Sequence, residues 1–242
     1  MTRMRADLLL VKRGLAESRA KAQAAIAAGG VTADGVCVAR ASDLIAEEAA
    51  LTLQPAHPWV SRGGVKVAHA LDVFGIDPAG RICLDIGAST GGFTHVLLAR
   101  GAAHVFAADV GRGQLHAQIA ADARVTAHEG LDARMLTAAM LGRAPDLIVC
   151  DASFIGLSKV LPRPLSLAAP GADLIALVKP QFEAGPRAGK GGVLNEADAR
   201  AVAAAAIAAL DGLEGFRVRA VCDSPVRGGD GNLELLAHAR RD

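Results

Sequence analysis

From residue 81 to the end of the chain, short apolar runs and helical stretches take turns. Residues 82–85, 104–109, 125–128, 147–151 and 174–178 are brief and largely apolar without strict alternation, the pattern of strands covered on both faces. Between them lie stretches with helical spacing at 92–100 and 157–167, where Pro162 forces a break or a late start. After the fifth strand, Asn195 caps a helix that runs to Leu210. Residues 216–222 and 233–238 close the series as two strands joined by a glycine-rich turn. Such alternation predicts a Rossmann-like α/β fold, a doubly wound and mostly parallel sheet with an antiparallel edge strand. Ligands of these sheets bind outside the carboxyl ends of the strands, so the residues at those ends are the candidates for chemistry.

The first part of the chain follows another pattern. Helical spacing over 5–13 is interrupted at Gly14, and Ser18 is placed to cap a second helix ending before Gly29-Gly30. A strand starts at Val31, Asp34-Gly35 makes a hairpin turn, and residues 36–38 and 50–53 supply further strands. This predicts a small α+β domain over residues 1–54, a proline-marked linker over 55–64 and the α/β domain over 65–242. Net charge is only +1. Residues 1–21, however, set Arg3, Arg5, Lys12, Arg13, Arg19 and Lys21 against only Asp7 and Glu17, a local cationic segment suited to phosphates. The alternative is a solvated helix face.

Other chemistries find little support. Cys37, Cys83, Cys150 and Cys222 are scattered, with no paired spacing and no secretory signal, so reduced thiols in a cytoplasmic protein are expected. The histidines lack ligand spacing, and no metal site is expected. No apolar run is long enough to span a bilayer. The stretch 185–192 imitates a phosphate loop, but its glycines are one residue too close and no hydroxyl follows Lys190; a mobile substrate loop is the better reading.

At the first strand end, Asp85 leads into Gly87, Ala88, Ser89, Thr90, Gly91, Gly92 and Phe93. Glycines allow a tight turn and a close backbone approach to a ligand. The spacing is not that of a dinucleotide fingerprint. A carboxylate just ahead of the turn suits a ligand bearing an ammonium, such as S-adenosylmethionine, better than a pyrophosphate. Asp109, followed by Val110, ends the second strand where a carboxylate can accept from both hydroxyls of a ribose. Asp132 follows the third strand, within reach of an adenine amino group. Each aspartate alone fits a turn or a cap; the three in order at successive strand ends favour a binding site.

Charged residues also stand at later strand ends. Asp151 ends the fourth strand and Lys179 the fifth; Glu234 lies in the last, and Lys66 follows Arg62-Gly63-Gly64. A lysine at the end of an apolar strand is costly unless paired.

With these residues in place the chain resembles the TlyA, or hemolysin A, family, whose members join an S4 RNA-binding domain to an FtsJ-like ribose methyltransferase domain. The resemblance covers nearly the whole chain. It is carried by Arg5-Ala6-Asp7, Arg13-Gly14-Leu15-Ala16, Ser18-Arg19 and Gly30-Val31 in the S4 part, by Trp59-Val60-Ser61-Arg62-Gly63-Gly64, by the Asp85 motif, and by Lys179-Pro180-Gln181-Phe182-Glu183. It implies a methyltransferase fold, S-adenosylmethionine as cofactor, and a tetrad of Lys66, Asp151, Lys179 and Glu234. It implies ribosomal RNA within the ribosomal subunits as partner, with transfer to a cytidine 2′-hydroxyl. Arg62 joins the six N-terminal cations as an expected RNA contact. The chain departs from the family where Asp132 replaces an asparagine, and tyrosine is absent throughout.

The chemistry is intelligible from the residues themselves. A ribose 2′-hydroxyl is a weak nucleophile that needs a proton acceptor and a line of attack on the methyl group. Either lysine can serve once deprotonated, and the carboxylates would orient them. The sequence leaves open which lysine is the base. The electrophile is activated within the cofactor, so no metal is required. Three other readings are weighed. An intact tetrad disfavours a non-catalytic ribosome-binding or assembly factor. The lack of a spanning or cationic amphipathic helix disfavours a membrane-lysing hemolysin. Asp151-Ala152-Ser153-Phe154 after the fourth strand disfavours methylation of a base or a protein side chain, since such sites carry Asn-Pro-Pro-Tyr-like or acidic loops there.

Overall fold

The computed structural model describes residues 2–27, 29–53, 57–184, 193–228 and 231–242. Residue 54 of the expected first domain, residues 55–56 of the expected linker and the glycine-rich stretch 185–192 lie outside the described residues. The chain divides into two compact units, Met1–Pro58 and Trp59–Asp242.

The first unit runs β1 (Arg3–Arg5), α1 (Ala6–Lys12), α2 (Arg19–Ala27), β2 (Val31–Ala33), β3 (Val36–Cys37), β4 (Leu44–Ala46) and β5 (Leu51–Leu53). Its strands make a β1–β4 ladder and a sheet of order β3-β2-β5. Asp34 and Gly35, both at positive φ, form the two-residue turn of the β2–β3 hairpin, whose twist matches its strands. The Ser18 hydroxyl accepts the Lys21 amide at 3.3 Å, capping α2. Leu9, Leu10, Ala22, Ile26, Val31 and Ile45 form the core.

The core is closed by a polar residue. Asp7 is 0% exposed and accepts from Arg5 Nε at 3.0 Å, Arg19 Nε at 2.8 Å and Gln23 Nε2 at 2.8 Å. The Arg5 guanidinium, with Gln23 and Arg19, holds the Asp7 carboxyl far below the usual carboxylate range.

The second unit contains α3 (Gly63–Phe74), β6 (Ile82–Ile86), α4 (Gly92–Ala99), β7 (His104–Asp109), α5 (Ala117–Ala120), β8 (Val125–Glu129), α6 (Ala138–Leu141) and β9 (Leu147–Cys150). It continues with α7 (Leu157–Val160), α8 (Pro162–Ser166), β10 (Asp173–Val178), α9 (Pro180–Glu183), α10 (Glu196–Leu210), β11 (Phe216–Asp223) and β12 (Leu235–Arg241). The seven-stranded sheet has the order β11-β12-β10-β9-β6-β7-β8. The final pair is antiparallel and lies at the edge, as the sequence predicts; the strand that runs against the rest is β12, one place in, and β11 is outermost.

Period-two alternation divides the strand side chains between two apolar layers. Leu84, Ile86, Phe106, Ile148, Leu174 and Val178 pack against α7, α8 and α10, whereas Cys83, Val105, Leu147, Val149, Ile175 and Leu177 pack against α3 and α4. The helical stretch at 157–167 is two helices, broken at Leu161, with Pro162 opening the second where its missing amide costs nothing. Asn195 Oδ1 caps α10 through the Asp198 amide at 2.9 Å. Helix α3 begins at Gly63, inside the stretch read from sequence as linker. Glu234 stands just before β12 rather than within it.

Candidate active site

The turn after β6 is shaped by contacts that leave no room for side chains. Gly87 has φ +79°, and a Cβ there would come within 2.9 Å of the Asp151 carbonyl oxygen. Gly91, at φ +88°, would meet Leu115 at 2.8 Å, and Gly92 faces Ser61. These glycines therefore bring the β6 turn against the end of β9 and against the segment that opens α3.

Asp85 lies beneath this turn, 0% exposed. Its Oδ2 accepts the Thr94 amide at 3.0 Å and the Thr94 hydroxyl at 2.7 Å, while its Oδ1 is buried without a partner. Burial, helped by the charges of Asp151 and Asp109, pushes the carboxyl up to about 7, against the pull of the Thr94 hydrogen bonds. A buried carboxylate with one unpartnered oxygen is an acceptor that fits an amino-acid ammonium, though Asp85 stands behind the turn and does not itself line the neighbouring cavity.

A cavity of about 610 Å³ opens beside the turn, walled by Gly87, Ser89, Asp109, Val110, Asp132 and Asp151 among others. Asp109 spans two loops: its Oδ2 accepts the Ser89 amide at 2.8 Å and its Oδ1 the Gly111 amide at 2.7 Å. Asp132 is gripped by Arg134, with NH2 to Oδ2 at 2.6 Å, and that guanidinium holds the carboxyl below its ordinary range. Val110 is exposed and offers an apolar wall. The dimensions and the row of carboxylates suit a nucleoside bearing an amino-acid tail. The other turn residues do not line this cavity. Phe93 is buried in the α3–α4 core, and Ala88 is buried in the turn.

Asp151, in the wall of this cavity, belongs to one of two ion pairs at this end of the sheet. Lys179, 8% exposed, pairs with Asp151 Oδ1 at 2.6 Å and donates to Ser153 Oγ at 2.8 Å. Lys66, also 8% exposed, reaches from α3 to pair with Glu234, 3% exposed. Strand register explains the convergence. Ile86 and Ala176 flank Cys150 on β9, and Val178 faces Leu235 on β12. One step beyond these residues at the same end of the sheet lie Gly87, Asp151, Lys179 and Glu234, and Lys66 reaches that end through its pair with Glu234. Ser153, just past the end of β9, and Thr94, in the first turn of α4, have no sequence signal of their own; serine and threonine at such places are too common to stand out.

The expected RNA-contacting cations divide differently. Arg5 and Arg19 bind Asp7. Lys12 pairs with Glu47 at 2.6 Å, Arg13 donates to the Ala49 carbonyl at 2.6 Å, and Lys21 pairs with Glu17. Arg3 and Arg62 are exposed. Among the described residues, no group of three or more His, Cys, Asp or Glu side chains is placed to hold a metal, and no helix is long and apolar enough to cross a membrane.

Residues 59–241 match the model of the FtsJ-like methyltransferases, and residues 4–50 that of the S4 domain. The 16S/23S rRNA (cytidine-2'-O)-methyltransferase TlyA of Mycobacterium tuberculosis is 46% identical over 241 residues, covering 98% of this chain and 90% of that one. The chain belongs to the TlyA family of FtsJ-like methyltransferases. Hemolysin A of Brachyspira hyodysenteriae is 38% identical over 97% of this chain and 99% of its own. A protein of Streptococcus thermophilus, solved under the name hemolysin, superposes with a TM-score of 0.77 at 36% identity, covering 100% of this chain and 89% of that one. As a family member the chain is an S-adenosylmethionine-dependent methyltransferase with an S4 domain at its N-terminus.

Proposed function

We propose that this TlyA-family protein transfers the methyl group of S-adenosylmethionine to a ribose 2′-hydroxyl of ribosomal RNA, a cytidine's, within the ribosomal subunits. The observation that carries the reading is the Lys179–Asp151 pair at 2.6 Å, whose aspartate lines the cofactor-sized cavity where β9 ends. In its amine form Lys179 takes the hydroxyl proton as the oxygen attacks. The Asp151 carboxylate then stabilises the ammonium so formed, and Ser153 fixes its direction. Lys66 and Glu234 form a second buried pair at the same sheet end and shape the charge around the ribose. Bound S-adenosylmethionine supplies a methyl group already activated on a sulfonium. Asp85 would hold its ammonium, Asp109 its ribose hydroxyls, and Asp132, kept in place by Arg134, its adenine.

For the RNA, the S4 unit would supply phosphate contacts through exposed Arg3 and through Arg5, Lys12, Arg13, Arg19 and Lys21, each also held by a partner within the unit. Phosphate contacts set position and affinity, and the methyltransferase unit selects the sugar. The protein is read as cytoplasmic. The deciding experiment compares 2′-O-methylated riboses in ribosomal RNA from cells with and without the protein, then restores the missing methyl group on purified subunits with protein and S-adenosylmethionine. Identical ribose maps would reject the proposal. A protein that binds subunits but transfers no methyl group would instead be an assembly factor.

A further inference from the structure

Two short segments meet at the catalytic end of the sheet: residues 151–157, which follow β9, and residues 179–183, which follow β10 and include α9. Lys179 ties the first segment near its start, through Asp151 and Ser153. Midway, the rings of Phe154 and Phe182 lie 4.9 Å apart. At the far end, Glu183 Oε1 accepts the Leu157 backbone amide at 2.8 Å. Its other oxygen is pressed against Gly156, where an added Cβ would come within 2.9 Å of Oε2. Gly156 has φ −73° and ψ 146°, a conformation open to any residue. A Cβ at 156 would therefore displace the Glu183 carboxylate, the end of a flexible side chain, while the backbone itself makes no demand for glycine.

The segment needs tethers. It has no ladder partners beyond β9, and Phe154 sits at φ 64°, a left-handed conformation that a bulky side chain adopts only when its surroundings impose it. From this geometry we infer that Glu183 is a positioning residue for methyl transfer: by fixing Gly156 and Leu157 it holds Asp151 and Ser153 where Lys179 needs them. The inference rests on the assignment of Lys179 and Asp151 to the reaction. Glu183 is half-buried, and burial pushes its carboxyl above the ordinary range. The hydrogen bond to Leu157 needs only an acceptor oxygen, which a neutral amide also provides.

The test uses the full chain, with purified ribosomal subunits as methyl acceptor and single-turnover transfer as the rate. Glu183→Ala is expected to slow transfer by about 10- to 100-fold, the cost of misplacing reacting groups by a fraction of an ångström to one ångström. KM for the subunits and the affinity for S-adenosylhomocysteine should stay close to wild type. Glu183→Gln should restore most of the rate. Gly156→Ala pushes a methyl group onto the carboxylate from the other side and should slow transfer as Glu183→Ala does, which keeps the inference testable should Glu183→Ala fail to fold. A Glu183→Ala protein with a wild-type rate, or a Gln variant as slow as the Ala one, would overturn the positioning role while leaving the proposed function intact provided that Lys179→Ala remains inactive. A wild-type protein that methylates no ribose would overturn both.

Discussion

Replacing Asp85 with asparagine isolates what a buried carboxylate does before the cofactor arrives. The ordinary value of the group is 3.8, and burial raises it to about 7 in the folded chain. Over that interval the native state holds a proton that the unfolded state releases, so this group's contribution to stability is complete below the ordinary value and is lost as pH rises toward 7. The slope is about 1.4 kcal/mol per pH unit, or roughly 3 kcal/mol between about pH 4.5 and pH 7. Chemical unfolding of wild type and Asp85→Asn, followed by the single tryptophan Trp59, measures it as the pH-dependent difference between the two. The stability of wild type relative to the variant should fall by that amount as pH rises across the window. A bound ammonium replaces the proton, so saturating S-adenosylhomocysteine, which carries the same amino-acid group, should abolish the trend. Wild-type affinity for this ligand should be about tenfold weaker at pH 6 than at pH 8, because only about one molecule in ten is then deprotonated at Asp85. Parallel stability curves for the two proteins, together with equal affinity at both pH values, would refute the ammonium assignment.

Lys179→Ala should lower single-turnover transfer by about 10²- to 10⁴-fold with cofactor affinity little changed, as rapid-quench assays would read. Lys66→Ala should both inactivate and destabilise, by about 3–5 kcal/mol in urea unfolding, because it strands buried Glu234; Lys66→Met combined with Glu234→Gln should recover stability without activity. Asp109→Ala should weaken S-adenosylmethionine binding by calorimetry and loosen the loops at Ser89 and Gly111, which would appear as faster amide exchange at those two residues. Asp7→Ala should lower the melting temperature of the isolated first unit. In wild type the Asp7 contribution is present at neutral pH and disappears only in strong acid, since its carboxyl is held far below the ordinary range.

Much of the fold was legible because its signals are local. The apolar strands, the Asp34-Gly35 turn, the Asn195 cap and the Pro162 break each depend on a few adjacent residues, and each lies where the sequence puts it. Helix α3 was missed because Gly63 and Gly64 open it, and two glycines read as linker. Their reason is tertiary: a Cβ on Gly64 would run into the Trp59 side chain. The polar strand ends were legible from the rule that ligands gather there, but their pairing was not. The sequence offers two lysines and two carboxylates without saying which answers which; in the fold Lys66 pairs with Glu234 and Lys179 with Asp151. The N-terminal cations were read by charge alone, which cannot reveal that Arg5 and Arg19 answer to a buried aspartate. Phe93, expected at the cofactor, belongs to the core, because the helix it begins turns that position inward.

The reversed strand β12 has a kinetic consequence. The residues assigned to the cofactor come from consecutive elements, β6 to the turn after β8, whereas the Lys66–Glu234 contact joins residues 168 positions apart. Contacts of such separation carry the largest loop-closure entropy and form late in folding. Loop closure thus favours a folding order in which the nucleotide-holding half assembles before β12 is inserted between β10 and β11. Ligand present at that stage binds a partly built enzyme and biases it toward completion, while catalysis waits for the last strand to slide home.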